Sequence, residues 1–345
     1  MSKRVSTISI AKECGVSQPT VSRILQDHAH LYKDSTVEKV REAADRLGYR
    51  PSHMARSLRS GRTNCIAMLV DGKFERSEIK PQFLVNLAKI AEQSDYHVIL
   101  SAFSDPEVED DSFMPLILKH LMADGLIVNY HTTPPPHMIE LIDKYRIPSV
   151  WINHRREHNA VFPDEFAAGR QLTERLIAAG HKRIAYVDRR YLNISTAEPH
   201  YSRVDRFRGY SVAMQEAGLD TDMIVAVQAP EDFDLWIELL RNRLLDEGRP
   251  TALLSSGYDE DIPHILRGAL GLRFPEDISF ASISWPEPGS GVLGITNDWQ
   301  GIAQEAFQMI LAKITTKSKS HKAVCVPPIL RDGTSVGPVP VSSPA

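Results

Sequence analysis

Several side chains between Ser17 and Arg23 have the chemistry needed to read and hold DNA. The carboxamide of Gln18 can form two hydrogen bonds with an adenine edge, and the guanidinium of Arg23 can bind O6 and N7 of guanine. Pro19 cannot donate to a base, but its ring offers an apolar contact to a thymine methyl group. Four hydroxyl groups could bind phosphates and fix the register, with helix capping as the alternative role: Ser6, Ser17, Thr20 and Ser22.

Such side chains need a helix to present them, and the surrounding sequence predicts one. Apolar positions within residues 8–47 follow helical spacing in three short segments. Ser6 and Ser17 are candidate caps of the first two segments, Gly15 ends the first, and Ser35-Thr36-Val37-Glu38 has the pattern of a capping box that opens the third. A helix, a tight turn and a second helix with a polar first turn form the helix-turn-helix pattern.

The basic residues are concentrated in this part of the chain. Residues 1–62 contain 12 Lys and Arg against 6 Asp and Glu, although the net charge of the whole chain is −4. A basic N-terminal part attached to an acidic remainder indicates that the N-terminal part meets a polyanion.

Beyond residue 62 the pattern changes to short apolar runs separated by amphipathic stretches. The runs are predicted strands at 66–70, 97–103, 125–128, 149–152, 183–187, 224–228, 252–256, 278–284 and 292–296. The stretches between them are predicted helices, among them 83–93, 169–179, 206–217 and 262–270. This alternation predicts parallel strands with crossover helices in two doubly wound halves, and a single large sheet is the alternative.

The residues from Ala11 to Arg23 fit the pattern A-x-x-x-G-V-S-x-x-T-V-S-R, and the match continues through Leu47-Gly48-Tyr49-Arg50-Pro51. In these residues the chain resembles the lactose/galactose repressor (LacI/GalR) family of bacterial transcriptional regulators. The resemblance implies an all-α helix-turn-helix domain, a hinge helix, and an α/β effector-binding and dimerisation domain like a type I periplasmic binding protein. The implied boundaries are 1–50, 51–62 and 63–345, with an N-lobe at about 63–161 plus 296–321 and a C-lobe at about 162–295 plus 322–340.

For the hinge segment, the resemblance implies a helix that folds on operator DNA. Leu58 matches the leucine that the family inserts into the minor groove, and Ala55 matches a close contact between two hinge helices. Arg56 and Arg59 are candidates for phosphate neutralisation. A flexible linker is the alternative interpretation of this segment.

For the larger domain, the resemblance implies a small-molecule effector held between two lobes. Arg206 matches the family's effector-binding arginine, with a surface salt bridge as the alternative, and Asp164 matches a position where the chain crosses between lobes. Gly257-Tyr258 and Ser284-Trp285 stand where acidic and amide acceptors are common. Tyr258 and Trp285 offer stacking faces instead, although core packing is the alternative for Trp285, and Phe74 is a further candidate. A sugar or sugar derivative is the leading effector, and a purine-like or other aromatic corepressor is the alternative.

Other function classes find less support in the sequence. The three cysteines are far apart and lack metal-site spacing, so we expect no metal and no cofactor. We identify no dinucleotide fingerprint, phosphate-binding loop or nucleophile elbow, and we therefore expect no enzyme. A secretory segment and a membrane span are not expected, which disfavours a solute-binding protein and predicts a cytoplasmic location. The expected partners are pseudo-palindromic double-stranded operator DNA, a second copy of the chain in a homodimer, and a small-molecule effector.

Overall fold

The chain forms two compact units, Met1–Thr63 and Asn64–Ala345, in a computed structural model. The structure describes residues 5–26, 28–50, 61–71, 79–103, 117, 120, 122–130, 136–189, 200–226, 232–257, 261–283, 289–316 and 320–340. Each unit has hydrophobic clusters of its own, so each is described by itself.

The first unit is a small all-helical domain. It consists of α1 (Thr7–Cys14), α2 (Gln18–Ile24), a short 3-10 turn (Ala29–Leu31) and α3 (Asp34–Arg46). Apolar side chains at helical spacing form its core: Ile10, Ala11, Cys14, Val21, Ile24, Val37, Val40, Ala43 and Ala44. The predicted helix-turn-helix is confirmed.

The ends of α1 and α2 are fixed by side chains and by one glycine. The Ser6 hydroxyl accepts a hydrogen bond from the Ser9 backbone N–H at 3.3 Å, and the Ser9 hydroxyl accepts one from the Ser6 N–H at 3.5 Å. Gly15 ends α1 at φ +64°, a left-handed conformation that glycine adopts without steric cost. The Ser17 hydroxyl accepts from the Thr20 N–H and caps α2. These two caps and the left-handed glycine produce the tight turn between the two helices.

The start of α3 differs from the prediction. Its N-cap is Lys33, whose side chain makes no capping hydrogen bond, and the helix already includes Asp34. The predicted capping box at Ser35-Thr36-Val37-Glu38 is therefore wrong, because these residues lie inside the first turns. The carboxylate of Asp34 near the positive end of the helix dipole favours this earlier start.

The second unit consists of two lobes, each built on a six-stranded sheet. The strands of the first lobe are β1 (Cys65–Asp71), β2 (His97–Phe103), β3 (Gly125–Asn129), β4 (Ser149–Ile152), β5 (Ala160–Pro163) and β11 (Val324–Val326). They are all parallel and lie in the order β11-β5-β4-β3-β1-β2. The helices of this lobe include α4 (Pro81–Gln93), α5 (Pro136–Lys144) and α10 (Trp299–Thr316).

The second lobe repeats this plan with one antiparallel edge. Its strands are β6 (Ile184–Val187), β7 (Asp222–Ile224), β8 (Ala252–Ser255), β9 (Ser279–Ile283), β10 (Leu293–Asn297) and β12 (Pro328–Arg331). They lie in the order β12-β10-β9-β8-β6-β7, and β12 runs antiparallel to β10. The helices include α6 (Glu165–Ala178), α7 (Tyr201–Glu216), α8 (Phe233–Leu245) and the short α9 (Ile262–His264), which continues as a π-helical turn (Ile265–Ala269). Two doubly wound sheets, rather than one large sheet, are confirmed.

One predicted strand is displaced along the chain. The run at 224–228 was predicted to be a strand, whereas β7 covers Asp222–Ile224. Its partner β6 ends at Val187, which is paired with Ile224, and beyond this pair backbone hydrogen bonds join Asp188 to Ile224 and Ala226 to Arg189.

The chain crosses between the two lobes three times: at Asp164 after β5, at Asp298 after β10, and at Pro327 after β11. The third crossing corrects the predicted lobe boundary, which placed the whole of 322–340 in the second lobe. β11 instead pairs with β5 through Val324 and Val161 and forms the outer edge of the first sheet. A hydrogen bond of 2.9 Å from the Asp164 N–H to the Val326 carbonyl joins the first and third crossings.

The strands of both sheets are largely covered. Every residue of β1, β3, β6, β8 and β9 is buried, as expected of parallel sheets with helices on both faces. On the first sheet, α10 buries Ile302, Ala306 and Ile310 beside Leu87 of α4. Among the described residues, no helix combines the length and the apolar character that a membrane span requires.

Candidate functional site

The first candidate surface is the exposed side of α2. Gln18, Pro19 and Arg23 are exposed, and Val21 and Ile24 on the opposite side are buried in the core. Pro19 lies in the first turn, where its missing N–H leaves no helical hydrogen bond unmade. The packing of one side thus turns the predicted base-reading residues outward together.

One residue of this surface was not predicted from the sequence. The Gln18 carboxamide nitrogen donates to the Thr7 hydroxyl of α1 at 3.2 Å. This contact holds one side of the carboxamide and leaves its other polar groups to face a base edge. Thr7 follows directly after the Ser6 cap, so helical geometry brings it near the start of α2.

The predicted phosphate-binding hydroxyls also have structural roles. Ser6 and Ser17 are helix caps, and the Ser17 and Thr20 hydroxyls lie 2.8 Å apart. When Thr20 donates within this pair, the Ser17 hydroxyl hydrogen is available to a phosphate oxygen. Capping and backbone contact are therefore compatible at Ser17, while Ser22 is half-buried on the next turn.

Several predicted site residues lie outside the described residues. These are the hinge candidates Ala55, Arg56, Leu58 and Arg59, and the effector candidates Phe74, Tyr258 and Trp285. The effector candidates Asp164 and Arg206 are described, and the second candidate site is built around them.

Arg206 belongs to a buried charged pair rather than to a surface salt bridge. Its Nε and Nη2 donate to the two carboxylate oxygens of Glu165 at 2.6 and 2.8 Å, and its Nη1 donates to the Ser256 carbonyl at 2.6 Å. Arg206 is 4% exposed and Glu165 is 2% exposed. A bidentate pair of this kind holds the guanidinium plane in one orientation.

Two glycines bring the partners of this pair together. A Cβ at Gly169 of α6 would lie 2.0 Å from the Arg206 carbonyl oxygen, and one at Gly209 of α7 would lie 2.2 Å from the Phe166 carbonyl oxygen. Only glycine at both positions lets the two helix backbones approach this closely. Because Glu165 starts α6 and Arg206 lies on α7, this contact sets the distance between carboxylate and guanidinium.

The pair is also connected to the crossings between the lobes. Asp164 caps α6 through its carboxylate, which accepts from the Ala167 N–H at 2.9 Å. Asn297, the last residue before the second crossing, donates its side-chain N–H to Glu165 at 3.2 Å. The sequence suggested Asp164 as the ligand residue at the crossing, whereas its neighbour Glu165 makes the contact with Arg206.

Further acidic and amide groups stand at the carboxyl ends of the strands. Asp188 directly follows β6, is fully buried, and lies 3.4 Å from the Arg203 Nε. Asp71 ends β1 and Asn129 ends β3, and both are buried. Sequence reasoning missed these groups, although each is a polar residue at the end of an apolar run, at the edge where open α/β sheets bind ligands.

A second set of contacts joins the lobes near the start of α7. The Arg155 guanidinium, in the loop after β4, donates to the Asp205 carboxylate at 2.7 and 3.0 Å. The His200 ring nitrogen Nε2 lies 2.8 Å from the Asn153 carbonyl oxygen. These contacts tie the β4–β5 loop of the first lobe to the helix that carries Arg206.

Two short patterns correct the sequence analysis, which identified no such motif. Gly333-Thr334-Ser335-Val336-Gly337 has the letters of a nucleophile elbow, G-x-S-x-G, and the segment 289–294 has those of G-x-G-x-x-G. Ser335 is 2% exposed. Its hydroxyl donates to the Phe280 carbonyl of β9 and accepts from the Leu293 N–H of β10, so it attaches the segment 333–337 to these two strands. The segment 289–294 leads into β10, which contains its last glycine, rather than into a helix, so neither pattern forms its chemical site.

The described part of the chain holds no group of three or more His, Cys, Asp or Glu side chains placed to bind a metal ion.

The chain is similar to known proteins in both of its units. Residues 8–52 match the profile of bacterial regulatory proteins of the lacI family, and residues 173–336 match a periplasmic binding protein-like domain. Catabolite control protein A of Priestia megaterium is 30% identical over 283 residues, which cover 79% of this chain and 80% of that protein. The chain belongs to the lacI family of bacterial regulatory proteins.

Solved structures agree with this lacI-family fold. The lac repressor dimer bound to operator and the anti-inducer ONPF has a TM-score of 0.72 at 20% identity, covering 97% of this chain and all of that one. A complex of the transcriptional regulator CelR with cellobiose has a TM-score of 0.62 at 21% identity, covering 96% of this chain and all of that one. As a lacI-family member the chain is a DNA-binding transcriptional regulator.

Proposed function

We propose that this lacI-family regulator is a cytoplasmic repressor whose homodimer binds a pseudo-palindromic operator with an affinity set by a sugar or sugar derivative. The observation that carries the proposal is the buried Arg206–Glu165 pair, because Glu165 also accepts from Asn297 at a crossing between the lobes. A ligand that binds Arg206 would therefore act directly on the segment about which the lobes move.

The charge balance of this pair and the polar groups at the strand ends favour a neutral ligand with many hydroxyls. Glu165 already neutralises Arg206, so an anionic ligand gains little net attraction there. Asp188, Asp71 and Asn129 supply oxygen acceptors at the carboxyl ends of the two sheets. Acceptors of this kind suit hydroxyl donors, and a sugar presents several of them at fixed angles.

The DNA half of the proposal assigns base reading to Gln18 and Arg23 and apolar contact to Pro19. Ser6, Ser17, Thr20 and Ser22 bind phosphates, as do Arg56 and Arg59, while Leu58 enters the minor groove beside Ala55. Support comes from the joint exposure of Gln18 and Arg23 on one side of α2. Charge attracts the whole domain to DNA, but only base contacts distinguish sequences.

A selection from random DNA followed by binding measurements at physiological salt tests this half. Arg23→Gln and Arg41→Gln remove the same charge from exposed positions of the first unit, on α2 and α3. We expect Arg23→Gln to lower the preference for the selected sequence over scrambled DNA about 5- to 150-fold, while Arg41→Gln leaves that ratio unchanged. Equal affinity of the unmodified protein for selected and scrambled DNA would contradict the proposal.

A thermal-shift screen followed by operator titration tests the effector half. The compounds are neutral sugars, sugar acids, nucleobases and aromatic acids, and a specific binder raises the unfolding temperature with its concentration. We expect neutral sugars to give the hits, to change operator affinity about 5- to 150-fold, and to be recovered unchanged. Hits confined to nucleobases or aromatic acids would replace the sugar with a corepressor of that class, and turnover of a hit would indicate an enzyme.

A further inference from the structure

A pocket of about 370 Å³ lies in the first lobe, away from the Arg206–Glu165 pair. Its walls are the α5 side chains Ile139, Ile142 and Asp143, the strand β4, and the loop that follows β4. This volume is within the range of small-molecule sites. These residues belong neither to the exposed side of α2 nor to the proposed effector site around Arg206.

One wall of the pocket presents a positive charge in a fixed position. The Arg156 guanidinium carbon lies 4.3 Å from the centre of the Trp151 ring, which is 4% exposed. Such stacking orients the guanidinium plane and leaves its N–H groups to point outward along the edge.

The same guanidinium has an unmet hydrogen-bonding requirement. Its Nη1 is buried and has no hydrogen-bond partner within the part of the chain that the structure describes. Burial lowers the pKa of Arg156, and the nearby Asp143 carboxylate opposes that shift. Arginine nevertheless remains charged at neutral pH, so the unpartnered Nη1 is costly, and a ligand in the pocket would bind the other N–H groups of the guanidinium.

The rest of the lining identifies what kind of molecule fits. Ile139 and Ile142 offer an apolar surface, and the exposed Asp143 and Glu157 carboxylates lie among the other lining residues. A simple anion would satisfy Arg156 but would face these two acidic groups. A molecule with a carboxylate, a cationic group and an apolar body satisfies all three kinds of neighbour.

We propose that this pocket is a second ligand site that binds an amphoteric carboxylate of the amino-acid class, with its carboxylate on Arg156. Its ammonium group faces Asp143 and Glu157, and its side chain packs on Ile139 and Ile142. The loop that carries Arg156 also carries Asn153 and Arg155, which contact α7 of the second lobe. Binding in the pocket therefore stiffens the loop that joins the lobes.

Titration calorimetry on the full chain tests the proposal with leucine, methionine and phenylalanine as probes. We expect at least one to bind with a Kd of about 1 mM or lower. Arg156→Gln should weaken this binding at least about tenfold, while Arg146→Gln, an exposed arginine close in sequence that does not line the pocket, should leave it unchanged. Failure of all three probes to bind below about 10 mM, or equal binding by the Arg156→Gln variant, would overturn the proposal.

A second variant keeps the test decisive if Arg156→Gln is destabilised. Asp143 is exposed, so Asp143→Asn should fold normally. For leucine as the probe, the comparison compound is 4-methylpentanoate, which lacks the amino group. Asp143→Asn should weaken leucine binding several-fold, whereas binding of 4-methylpentanoate should stay the same or strengthen, because this anion loses a repulsive neighbour. Equal effects on both compounds would show that the ammonium group does not face Asp143 and would overturn the proposed orientation.

Discussion

The side chains to which we assign specificity, Gln18 and Arg206, are each held in place by neighbouring polar groups. Gln18 is oriented by Thr7, and Arg206 by Glu165 and the Ser256 carbonyl. In both cases the holding contact uses some donors of the functional group and thereby fixes the direction of the rest. At this scale, loss of a holding residue should change selectivity or coupling more than it changes raw affinity.

Thr7→Val removes the hydroxyl that accepts from Gln18 and keeps the shape of the side chain. We expect the preference for the selected operator to fall several-fold, because one hydrogen bond is worth about 0.5–1.5 kcal/mol and the freed carboxamide can rotate. Affinity for scrambled DNA should stay constant, and Thr7→Ser should behave like the unmodified protein. A change in scrambled-DNA affinity equal to the change for operator would contradict the orienting role.

Variants of the Arg206–Glu165 pair distinguish its contribution to folding stability from its contribution to the effector response. Glu165→Gln leaves a buried guanidinium without its counter-charge and should cost about 3–5 kcal/mol in urea unfolding. The double replacement Arg206→Met with Glu165→Leu should recover much of that loss, since no charge is left buried. The double variant should still bind operator but no longer respond to the effector. An effector response retained by the double variant would remove the pair from the proposed site.

At the level of elements, the close contact of α6 and α7 is what makes the charged pair possible. Gly169→Ala would add a methyl group 2.0 Å from a backbone oxygen, so the helices must separate. Alanine gains about 1 kcal/mol over glycine in helix propensity, yet overpacking costs about 1–3 kcal/mol and outweighs it.

We therefore expect Gly169→Ala to lower the unfolding free energy and to abolish the effector response. Gly248→Ala is the matched control, because no atom lies within 4 Å of its added Cβ. That control should change stability by less than about 0.5 kcal/mol in the same denaturant titration. Equal stability of the two variants would mean that α6 and α7 can separate without cost.

The elements that the sequence predicted are those with a strong local signal. The apolar run 149–152 matches β4 at both ends, because buried parallel strands are continuous in apolar residues, and the run 97–103 matches the edge strand β2. β11 has only three residues, one of them exposed, and its place is decided by pairing with β5, which is distant in sequence. In the same way, Asp164 was recognisable as a crossing residue, but the contact of Glu165 with Arg206 depends on the approach of two helices.

At the scale of the whole molecule, the segment around Gly337 packs against the second lobe through His181. The His181 ring nitrogens lie 2.9 Å from the Thr251 hydroxyl and 3.1 Å from the Gly337 carbonyl oxygen. Burial lowers the pKa of His181 below its ordinary value, and the Gly337 contact only partly offsets this. The folded protein therefore resists protonation of this ring more than the unfolded chain does.

This difference predicts a pH dependence of stability. Since the folded-state pKa is the lower one, stability is fully present above about pH 6.5 and decreases as the pH falls below that value. Urea unfolding at pH 7.5 and 5.5 should show this loss, and His181→Gln should reduce it. Burial also lowers the pKa of His154, so part of the loss should remain in that variant. An unchanged pH dependence in His181→Gln would exclude the ring as a source.

The three crossings between the lobes have a consequence for how the protein is made. The first unit is complete once the first fifty or so residues have left the ribosome, and a chain grows at about 5–20 residues per second. The first sheet, by contrast, receives its outer strand β11 only after residues 324–326 have been made, and the second sheet receives β12 immediately afterwards. A nascent chain therefore holds a finished helix-turn-helix domain long before it holds a finished sensor. Premature termination ahead of Val324 would release a polypeptide that has the helix-turn-helix unit and lacks one edge strand of each sheet.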